Sequence, residues 1–376
     1  MSRRNLLMVA DSEHDADMLH AVRMFVADPF IFARLSDRDH MVVSDLEVDR
    51  ARREAAHCRV WPLSRFLRAL RTDGVKRPTL ADVVRLFLKQ QGVKKVIVPE
   101  HFPSGLAARL KRLKVKLKVH EGSIFPARAV KCTEEIKRIS GALTMAEVGL
   151  AEAIQALKSA KIGKNRRLFY RGAPLTSEKL RGIIDTAIVQ AGGLPKHTIV
   201  AGGRQSCDPH ETSFGPLCAH ETIVIDVFPR SQKTGYFGDL TRTVVKGRAS
   251  EALRRLYHTV ARGQEIGFHL LMDKAVACDV HDGIQKFFRD EGYRTGRRRG
   301  RMEGFFHGTG HGVGLELHEA PRLSASSGDI LRNGHVVALE PGLYYPGIGG
   351  VRLEDMALVT GKAARNLTKF EKVLEV

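Results

Sequence analysis

Along the first third of the chain, apolar residues alternate between the two-residue period of strands and the wider spacing of helices. The runs FIFARL and MVVSDL flank the polar turn SDRDH, and KKVIVPE and KVKLKVHE predict two further strands. The segments TLADVVRLFLKQQGV and SGLAARLKRL have helical spacing. We therefore predict an α/β domain over residues 1–125. Because it has no Gly-rich phosphate loop and no cluster of catalytic residue types, we expect it to have a structural or assembly role.

The pattern changes near GSIFPARAVK. From Thr133, the segment TEEIKRISGALTMAEVGLAEAIQALKSA has apolar residues three to four apart and acids in its first turn, which predicts a long helix. SEKLRGIIDTAIVQAGG, SEALRRLYHTVARGQEIGFHLLM and DVHDGIQKFFRDEGY predict further helices. The strand-like HTIVAGG and two β-hairpins lie between and after them. Helices grouped apart from an antiparallel sheet favour an α+β domain over residues 126–376.

Each of the two predicted hairpins carries two carboxylates that we expect to face each other. In TIVIDVFPRSQKTGYFGDLTRTVV, counting outward from the polar turn places Asp226 opposite Asp239. In VVALEPGLYYPGIGGVRLEDMALVT, the same count places Glu340 opposite Glu354. Carboxylates paired across a ladder have Cβ atoms about 5 Å apart and repel each other. The pattern therefore predicts a cation at each pair, and hence a metal site.

Between the hairpins, the segment FFHGTGHGVGLELHEAP brings His307, His311 and His318 among closely spaced glycines. These glycines let the backbone pack closely, which allows the imidazoles to converge. Imidazole nitrogen together with carboxylate oxygen suits Mn, Co, Fe or Zn, and the lack of thiolates argues against a soft metal or a structural zinc. Two Asp, two Glu and one His are too many ligands for one small ion. The composition therefore predicts two divalent ions that share an activated water.

The bulk composition is that of an ordinary globular protein of about two domains. The 376 residues are 43% hydrophobic and 27% charged. No apolar stretch approaches the roughly 20 residues that cross a bilayer, and the N-terminal apolar run is shorter than the about 7–15 residues of a signal-peptide core. The five cysteines are scattered and odd in number. We therefore expect no disulfide framework, no membrane partner and a reducing, cytoplasmic location.

The net charge of +19 is the one unusual bulk property, and it favours acidic partners. The basic residues are nevertheless spread along the chain, with their densest cluster at Arg294–Arg301 in RTGRRRGR. There is a single Trp, and few aromatic residues lie near that cluster. We favour a solvated basic surface and keep nucleic-acid contact as the less favoured alternative.

The segments GDLTRT, GHGVGLELHE, LEPGLYY and VRLED, in that order, closely resemble the pita-bread metallopeptidases. That family holds Xaa-Pro aminopeptidase, Xaa-Pro dipeptidase (prolidase), methionine aminopeptidase and creatinase. The resemblance covers the chain from about residue 128 onward, whereas the first domain is similar to the creatinase/prolidase N-terminal domain only in length and style. It implies a pita-bread catalytic domain with a curved antiparallel sheet and flanking helices. It also implies that Asp226 binds one ion, Asp239 and Glu354 bridge both, and His311 and Glu340 complete the second.

Within this family, Xaa-Pro peptidases are the best match. The intact set of ligands disfavours the metal-free creatinase branch, and methionine aminopeptidases usually lack such an N-terminal domain and an arginine like Arg352. Two features of the chain depart from the usual pattern of the family. The interval from Asp226 to Asp239 is thirteen residues rather than eleven, which keeps the pleat parity and lengthens the turn. The N-terminal domain is the weaker match, so substrate choice is less secure than reaction class.

The resemblance also implies roles for side chains around the ions. His210 would line the substrate pocket, His318 would stabilise the oxyanion, and His307 would contact the peptide or the leaving nitrogen. Each of these histidines could instead be a satisfied core residue. Arg352 could neutralise nearby carboxylates or hold the substrate terminus, with a purely structural ion pair as an equal alternative.

The implied reaction is hydrolysis of the peptide bond before proline by a metal-bridging hydroxide. In it, Glu354 is catalytic as well as a ligand, because it relays a proton to the departing nitrogen. We expect a peptide substrate with proline at the second position, two divalent ions with Mn preferred, and a homodimer. The alternative is a catalytically silent protein of the same fold that binds nucleic acid or another acidic partner, which the net charge and Arg294–Arg301 suggest.

Overall fold

The computed structural model describes residues 5–376, which divide into two compact units. The N-terminal unit ends at Ala127, and the C-terminal unit spans Arg128–Val376. The predicted domain boundary after residue 125 lies within two residues of this division. Each unit has its own clusters of buried apolar side chains. Within the described residues, no helix combines the length and the apolar character needed to span a bilayer.

The N-terminal unit is built on a six-stranded mixed sheet with the strand order β4-β3-β2-β1-β5-β6. Along β1, Leu7 and Val9 join one apolar cluster while Leu6 and Met8 join another, because successive side chains point to opposite faces. The sheet is therefore buried on both faces, as expected for the predicted α/β unit. Its strands are β1 Leu6–Ala10, β2 Phe30–Leu35, β3 Arg38–Val43, β4 Arg59–Pro62, β5 Lys95–Pro99 and β6 Lys116–His120.

Helices cover this sheet at positions that local sequence signals specify. At the start of α4, the Asp82 carboxylate accepts hydrogen bonds from the Thr79 backbone N–H (2.8 Å) and hydroxyl (2.7 Å), which satisfies a free donor of the first turn. The helices are α1 Ala16–Val22, α2 Val48–Glu54, α3 Leu63–Thr72, α4 Leu80–Gln90 and α5 Ser104–Arg112. The strands and helices predicted from the sequence of this region are confirmed, except that the turn predicted at SDRDH is shorter, because β3 already begins at Arg38 and ends at Val43.

The four helices predicted for the C-terminal unit are also confirmed, and the longest begins at Thr133 as predicted. The Glu135 carboxylate accepts a hydrogen bond from the Cys132 backbone N–H at 2.9 Å, which caps that helix. The helices are α6 Thr133–Ser159, α7 Ser177–Gln190, α8 Glu251–Leu270 and α9 Ala277–Asp290. Short 3-10 helices occupy Pro126–Ala129, Lys164–Arg166 and Gly203–Cys207.

The strands of the C-terminal unit pair antiparallel in the ladders that carry the acidic residues, so the predicted α+β class is confirmed. A three-stranded sheet has the order β11-β12-β14, a five-stranded sheet has the order β18-β17-β19-β22-β23, and β20 pairs with β21. The strands are β7 Lys161–Ile162, β8 Leu168–Tyr170, β9 Ala173–Pro174, β10 Gly193–Leu194, β11 Ile199–Gly202, β12 Ile223–Val227, β13 Arg230–Ser231, β14 Leu240–Val244, β15 Gly296–Arg298, β16 Arg301–Glu303, β17 Gly310–Gly312, β18 Glu319–Leu323, β19 Val336–Leu339, β20 Gly342–Tyr345, β21 Gly349–Arg352, β22 Asp355–Val359 and β23 Ala364–Asn366.

The register predicted for the first acidic hairpin is wrong. Asp226 pairs with Thr241 rather than with Asp239, because the turn is centred one residue farther along than the polar residues suggested. The same register continues toward the tip of the hairpin, where a bridge joins Arg230 to Phe237, and β13 pairs in addition with β10. A change of two residues in the pairing keeps the pleat parity. Asp239 therefore still belongs to the side of the hairpin that carries Asp226.

The register predicted for the second acidic hairpin is confirmed. Gly342 pairs with Arg352, and Leu339 pairs with Asp355. Both ladders follow one count, so positions 340 and 354 lie opposite each other between them. The two glutamates thus occupy the junction at which the hairpin β20–β21 continues into the five-stranded sheet.

We expect Gly310→Ala to destabilise the protein by at least about 2 kcal/mol, because a Cβ at residue 310 would lie 1.9 Å from the Ala338 carbonyl oxygen. This close approach sets the spacing of β17 and β19. Urea denaturation measures the effect. Gly141→Ala, in an exposed turn of α6 with nothing near the new methyl group, is the control and should stabilise by about 0.5–1 kcal/mol. Equal effects from both changes would contradict the packing argument.

Candidate metal centre

Three buried side chains from three separate strand regions meet in the C-terminal unit. Asp239 precedes β14, His311 lies on β17, and Glu354 lies between β21 and β22. One ligand atom from each lies within 4.8 Å of the others. Their chain positions differ by many residues, so the sheets rather than any local motif bring them together. The remaining predicted ligands, Asp226 and Glu340, lie around this group of three.

His311 is oriented toward the carboxylates by its own backbone. Its Nδ1 lies 3.3 Å from the Gly312 carbonyl oxygen, and its Nε2 lies 3.7 Å from both Asp239 Oδ2 and Glu340 Oε1. A proton on Nδ1 that is donated to this carbonyl leaves the Nε2 lone pair facing the acids. Burial, followed by the charge of His318, lowers the pKa of His311 to about 3. The imidazole is therefore neutral at physiological pH, as a metal ligand must be.

Asp226 is held by an arginine through only one of its two oxygens. Arg352 Nη2 donates to Asp226 Oδ2 at 2.7 Å, and Arg352 Nη1 also lies 3.2 Å from the Pro209 carbonyl oxygen. Asp226 Oδ1 is buried and accepts no hydrogen bond from the residues that the structure describes. A buried carboxylate oxygen without a partner is costly. A cation at this position would supply the missing interaction.

Glu354 is fixed by hydrogen bonds from the neighbouring sheet. The Thr241 hydroxyl donates to Glu354 Oε2 at 2.7 Å, and the Glu354 N–H donates to the Thr241 carbonyl at 3.1 Å. Behind this contact, the fully buried Arg242 donates to the Glu354 carbonyl (2.7 Å) and to Asp355 Oδ1 (2.8 Å). The side chain is therefore held in one position by elements on both sides of the site.

Burial, together with the charges of neighbouring acids, raises the pKa values of Asp239, Glu340 and Glu354. Burial, and then the charges of Glu354 and Asp226, raises the pKa of Asp239 well above its ordinary range. Burial, followed by the charges of Asp226 and Glu340, does the same for Glu354. Burial raises the pKa of Glu340 to about 7, against the opposing charge of Arg352. Divalent cations would reverse these shifts, since they stabilise the ionised carboxylates.

The other predicted histidines lie at the same site but in different environments. His318 is exposed, and its ring centroid lies 4.3 Å from that of His311. His307 is enclosed, and its Nδ1 and Nε2 lie 2.7 Å from the Gly308 carbonyl and 2.9 Å from the Tyr344 hydroxyl. Burial, followed by the charge of Arg352, lowers the pKa of His307 to about 3. His210 is exposed, and its charge acts on both His307 and His318.

Three further residues belong to this site that the sequence reasoning missed. The Tyr344 hydroxyl lies 2.9 Å from His307 Nε2 and 3.2 Å from Arg352 Nη1, so it joins these two side chains. Thr241 holds Glu354, and Arg322 places a positive charge near His311 and His318. The sequence signal that could have identified Tyr344 was the two-residue period of a strand, since Tyr344 lies two residues after Gly342 on β20. For Thr241, it was the position two residues after Asp239.

The donor set fits hard or borderline divalent cations. It combines four carboxylates with one neutral imidazole and no thiolate, and it leaves one buried carboxylate oxygen unpaired among the described residues. A second group of possible ligands in the N-terminal unit, Asp39, His57 and Cys58, fits a metal poorly. Arg34 already donates to both Asp39 oxygens, and burial raises the pKa of Cys58 to about 12.

Comparison with known proteins gives consistent matches. The profile of metallopeptidase family M24 matches residues 137–361. The chain is 31% identical to an Xaa-Pro dipeptidase of Pyrococcus horikoshii over 288 residues, which is 76% of each protein. It is 31% identical to an Xaa-Pro dipeptidase of Pyrococcus furiosus over 248 residues, 66% of this chain and 65% of that protein.

Solved structures show the same fold along almost the whole chain. The X-Pro aminopeptidase from Thermotoga maritima superposes with a TM-score of 0.83 at 21% identity, covering 100% of this chain and 98% of that one. Prolidase from Pyrococcus furiosus superposes with a TM-score of 0.79 at 23% identity, covering 99% and 98%. The predicted pita-bread fold is confirmed.

We expect Mn²⁺ to raise the melting temperature more at about pH 8 than at about pH 6. Without an ion, the raised pKa of Glu340 (about 7, against an ordinary 4.5) means that the folded protein retains a proton which the unfolded chain releases. The ion-free protein therefore loses stability as the pH rises from about 4.5 to about 7. Below about pH 7, a binding ion must in addition displace the proton of Glu340. Thermal unfolding with and without Mn²⁺ measures the difference. A rise that does not depend on pH would contradict this coupling.

We expect Asp239→Asn to leave the ion-free protein as stable as the native protein, or more stable, because it replaces a repelling carboxylate by a neutral isostere. The same change should abolish most of the stabilisation by Mn²⁺. Thermal unfolding measures both, and Asp290→Asn, at an exposed pair with Lys286, serves as the control that leaves both unchanged. Full stabilisation of the Asp239→Asn protein by Mn²⁺ would exclude Asp239 as a ligand.

Proposed function

The chain belongs to metallopeptidase family M24, and from that premise we propose that it hydrolyses the peptide bond before proline in substrates with proline at the second position. The buried group Asp239–His311–Glu354, next to the unpaired oxygen of Asp226, is the observation that carries this proposal. The relatives named Xaa-Pro dipeptidase support the choice of bond. The enzyme is then a metal-dependent peptidase whose substrate is a peptide rather than an isolated amino acid.

Two divalent cations fit the number of donors better than one. In this proposal the cations would be held by the five predicted ligands, which are Asp226, Asp239, His311, Glu340 and Glu354. Mn is the preferred metal because most donors are carboxylate oxygens, while Co, Zn and Fe remain compatible with the imidazole. When bound, such cations act as Lewis acids and lower the pKa of water, which supplies a nucleophile near neutral pH.

The side chains around the ions have distinct proposed tasks. His318 is exposed next to the centre, and a ring N–H there can donate to the carbonyl oxygen as negative charge develops on it. Glu354 would carry a proton between water and the leaving nitrogen, acting as a general base and then as a general acid. The Thr241 hydroxyl donates a hydrogen bond to Glu354 Oε2 at 2.7 Å and so holds this carboxylate in position.

For His307 and Arg352, the hydrogen bonds favour positioning over direct chemistry. Both ring nitrogens of His307 already have protein partners, so it orients Tyr344 more directly than it contacts a peptide. Arg352 lies 2.7 Å from Asp226, which supports a role in neutralising that carboxylate. His210 is exposed next to these groups and remains our candidate for the wall of the substrate pocket.

The competing proposal, a catalytically silent protein that binds nucleic acid or another acidic partner, is not favoured. Loss of function in such a protein would leave no reason to keep five buried or partly buried ligands with unfavourable mutual charges. We further propose a cytoplasmic location, which the five free cysteines support. A homodimer is also proposed, as expected from the resemblance to the family.

We expect Asp239→Ala and Glu354→Ala to abolish release of the N-terminal residue from Xaa-Pro peptides, because each removes a proposed metal ligand. His318→Ala should lower kcat by about 10²–10³-fold with a smaller change in KM, as for loss of one oxyanion donor. Steady-state kinetics of the Mn²⁺-loaded protein measure these effects. His258→Ala, at an exposed position of α8, is the control and should retain native kinetics. Native turnover by either carboxylate variant would refute the ligand assignment.

A further inference from the structure

An exposed hairpin with a strong positive charge lies next to the strand that carries Tyr344. It comprises residues 294–303, here called the arginine hairpin, in which β15 and β16 pair antiparallel around a turn at Arg299 and Gly300. Its only acid is Glu303. Within residues 5–376, no ion pair engages any of its five exposed arginines, which are Arg294, Arg297, Arg298, Arg299 and Arg301.

The base of the arginine hairpin is bonded directly to the proposed active site. Gly304 exchanges two backbone hydrogen bonds with Tyr344, at 3.0 and 3.2 Å. Gly304 has a φ of 91°, and a Cβ there would lie 2.5 Å from the Arg294 carbonyl oxygen, so only glycine lets the hairpin close here. The Tyr344 hydroxyl in turn contacts His307 and Arg352. Contacts therefore run without a break from the hairpin to a proposed metal ligand.

A cleft of about 530 Å³ opens between the arginine hairpin and the tip of hairpin β20–β21. Arg294, Arg297 and Arg298 line one part, and Tyr345 and Ile348 line another. The Tyr345 hydroxyl donates to the Arg294 carbonyl at 2.8 Å, which ties the two hairpins together. Tyr345 is five residues along the chain from Glu340, or about 17 Å in an extended strand. A peptide that begins at the metal centre would need about five further residues to reach the cleft.

We propose that the arginine hairpin binds acidic side chains of the substrate several residues beyond the scissile bond, so that acidic peptides of about six residues or more are the preferred substrates. The inference rests on the proposed function, because it concerns the distal end of the same peptide. Guanidinium groups present planar pairs of donors that match carboxylates. With five free cations and one acid, the cleft disfavours basic peptides by like-charge repulsion.

The surroundings favour an acidic peptide over nucleic acid as the occupant. Single-stranded nucleic acid needs aromatic faces on which bases stack. The two aromatic residues of the cleft, Tyr293 and Tyr345, lie against each other with ring centroids 5.7 Å apart. Ile348 is partly exposed in this cleft and offers apolar contact beside the arginines, as a peptide with mixed side chains would use.

The test compares peptides of equal length on the Mn²⁺-loaded protein. Octapeptides with proline second carry Asp, Asn or Lys at their last three positions, and a neutral tripeptide with proline second reports on the centre alone. The variant R297Q/R298Q/R299Q removes three charges from the hairpin. Its control, R255Q/R262Q/K362Q, removes three charges from exposed positions on α8 and before β23. Values of kcat/KM are measured at low and high salt.

The native protein should cleave the acidic octapeptide roughly tenfold more efficiently than the neutral one at low salt, with the basic octapeptide poorest. High salt or the hairpin variant should bring this ratio close to one, while the control variant retains it and the tripeptide is cleaved equally by all three proteins. Equal cleavage of acidic and neutral octapeptides by the native protein would overturn the inference. So would a ratio that the hairpin variant retains, or hairpin-dependent binding of single-stranded DNA without an acidic preference.

The tripeptide separates this inference from the proposed function. If the native protein cleaves no proline-containing peptide, including the tripeptide, then the proposed function fails and the inference fails with it. If the tripeptide is cleaved but charge at the distal positions has no effect, only the inference about the arginine hairpin fails.

Discussion

Mutual repulsion among the carboxylates in one pocket is the constraint on which the arrangement of the C-terminal unit depends. Asp239 and Glu354 are buried, and their pKa values are raised because each must share a poorly solvated space with other acids. Without cations, the folded chain lowers this repulsion by keeping carboxyl groups of the pocket protonated. Two other contacts of the pocket partly offset the repulsion between the carboxylates. Arg352 pairs with Asp226, and the Thr241 hydroxyl donates to Glu354. The fold is thus prepared for positive charge before any ion arrives.

Strand β20 connects that pocket to the surface that we propose to select substrates. At one end it follows Glu340 and Pro341, and at the other it contributes Tyr345 to the cleft beside the arginine hairpin. Tyr344, between them, contacts His307 with its hydroxyl and Gly304 with its backbone. The arginines lie on an exposed hairpin that backbone hydrogen bonds join to β20, so a change of arginine side chains leaves those bonds in place. Substitutions in the arginine hairpin can therefore alter the proposed substrate selectivity without changing the residues of the candidate metal centre.

Much of this protein follows from local sequence, because helix starts and strand periods depend on neighbours within a few residues. The start of α6 at Thr133 is an example, since acids in the first turn and the cap at Glu135 are local features. The facing of Glu340 and Glu354 is another, since the ladders on both sides follow one uninterrupted count. The residue types of the candidate metal centre could also be predicted from the sequence, because carboxylates together with an imidazole are ligands that divalent metal ions prefer.

The tertiary structure decided what depends on contacts between distant segments. Counting failed at the first acidic hairpin because its turn is centred one residue farther along than the polar residues suggest, so that Asp226 pairs with Thr241. The pairing of β13 with β10 is also a contact that local spacing does not reveal. The hydrogen bond of Thr241 with Glu354 and the position of Tyr344 between His307 and Arg352 join residues far apart in sequence. By itself the sequence determined which groups could hold cations and along which strands they lie. Only packing of the sheets decided which oxygens meet, because side-chain distances across separate ladders are set by their mutual register and not by the order of residues along the chain.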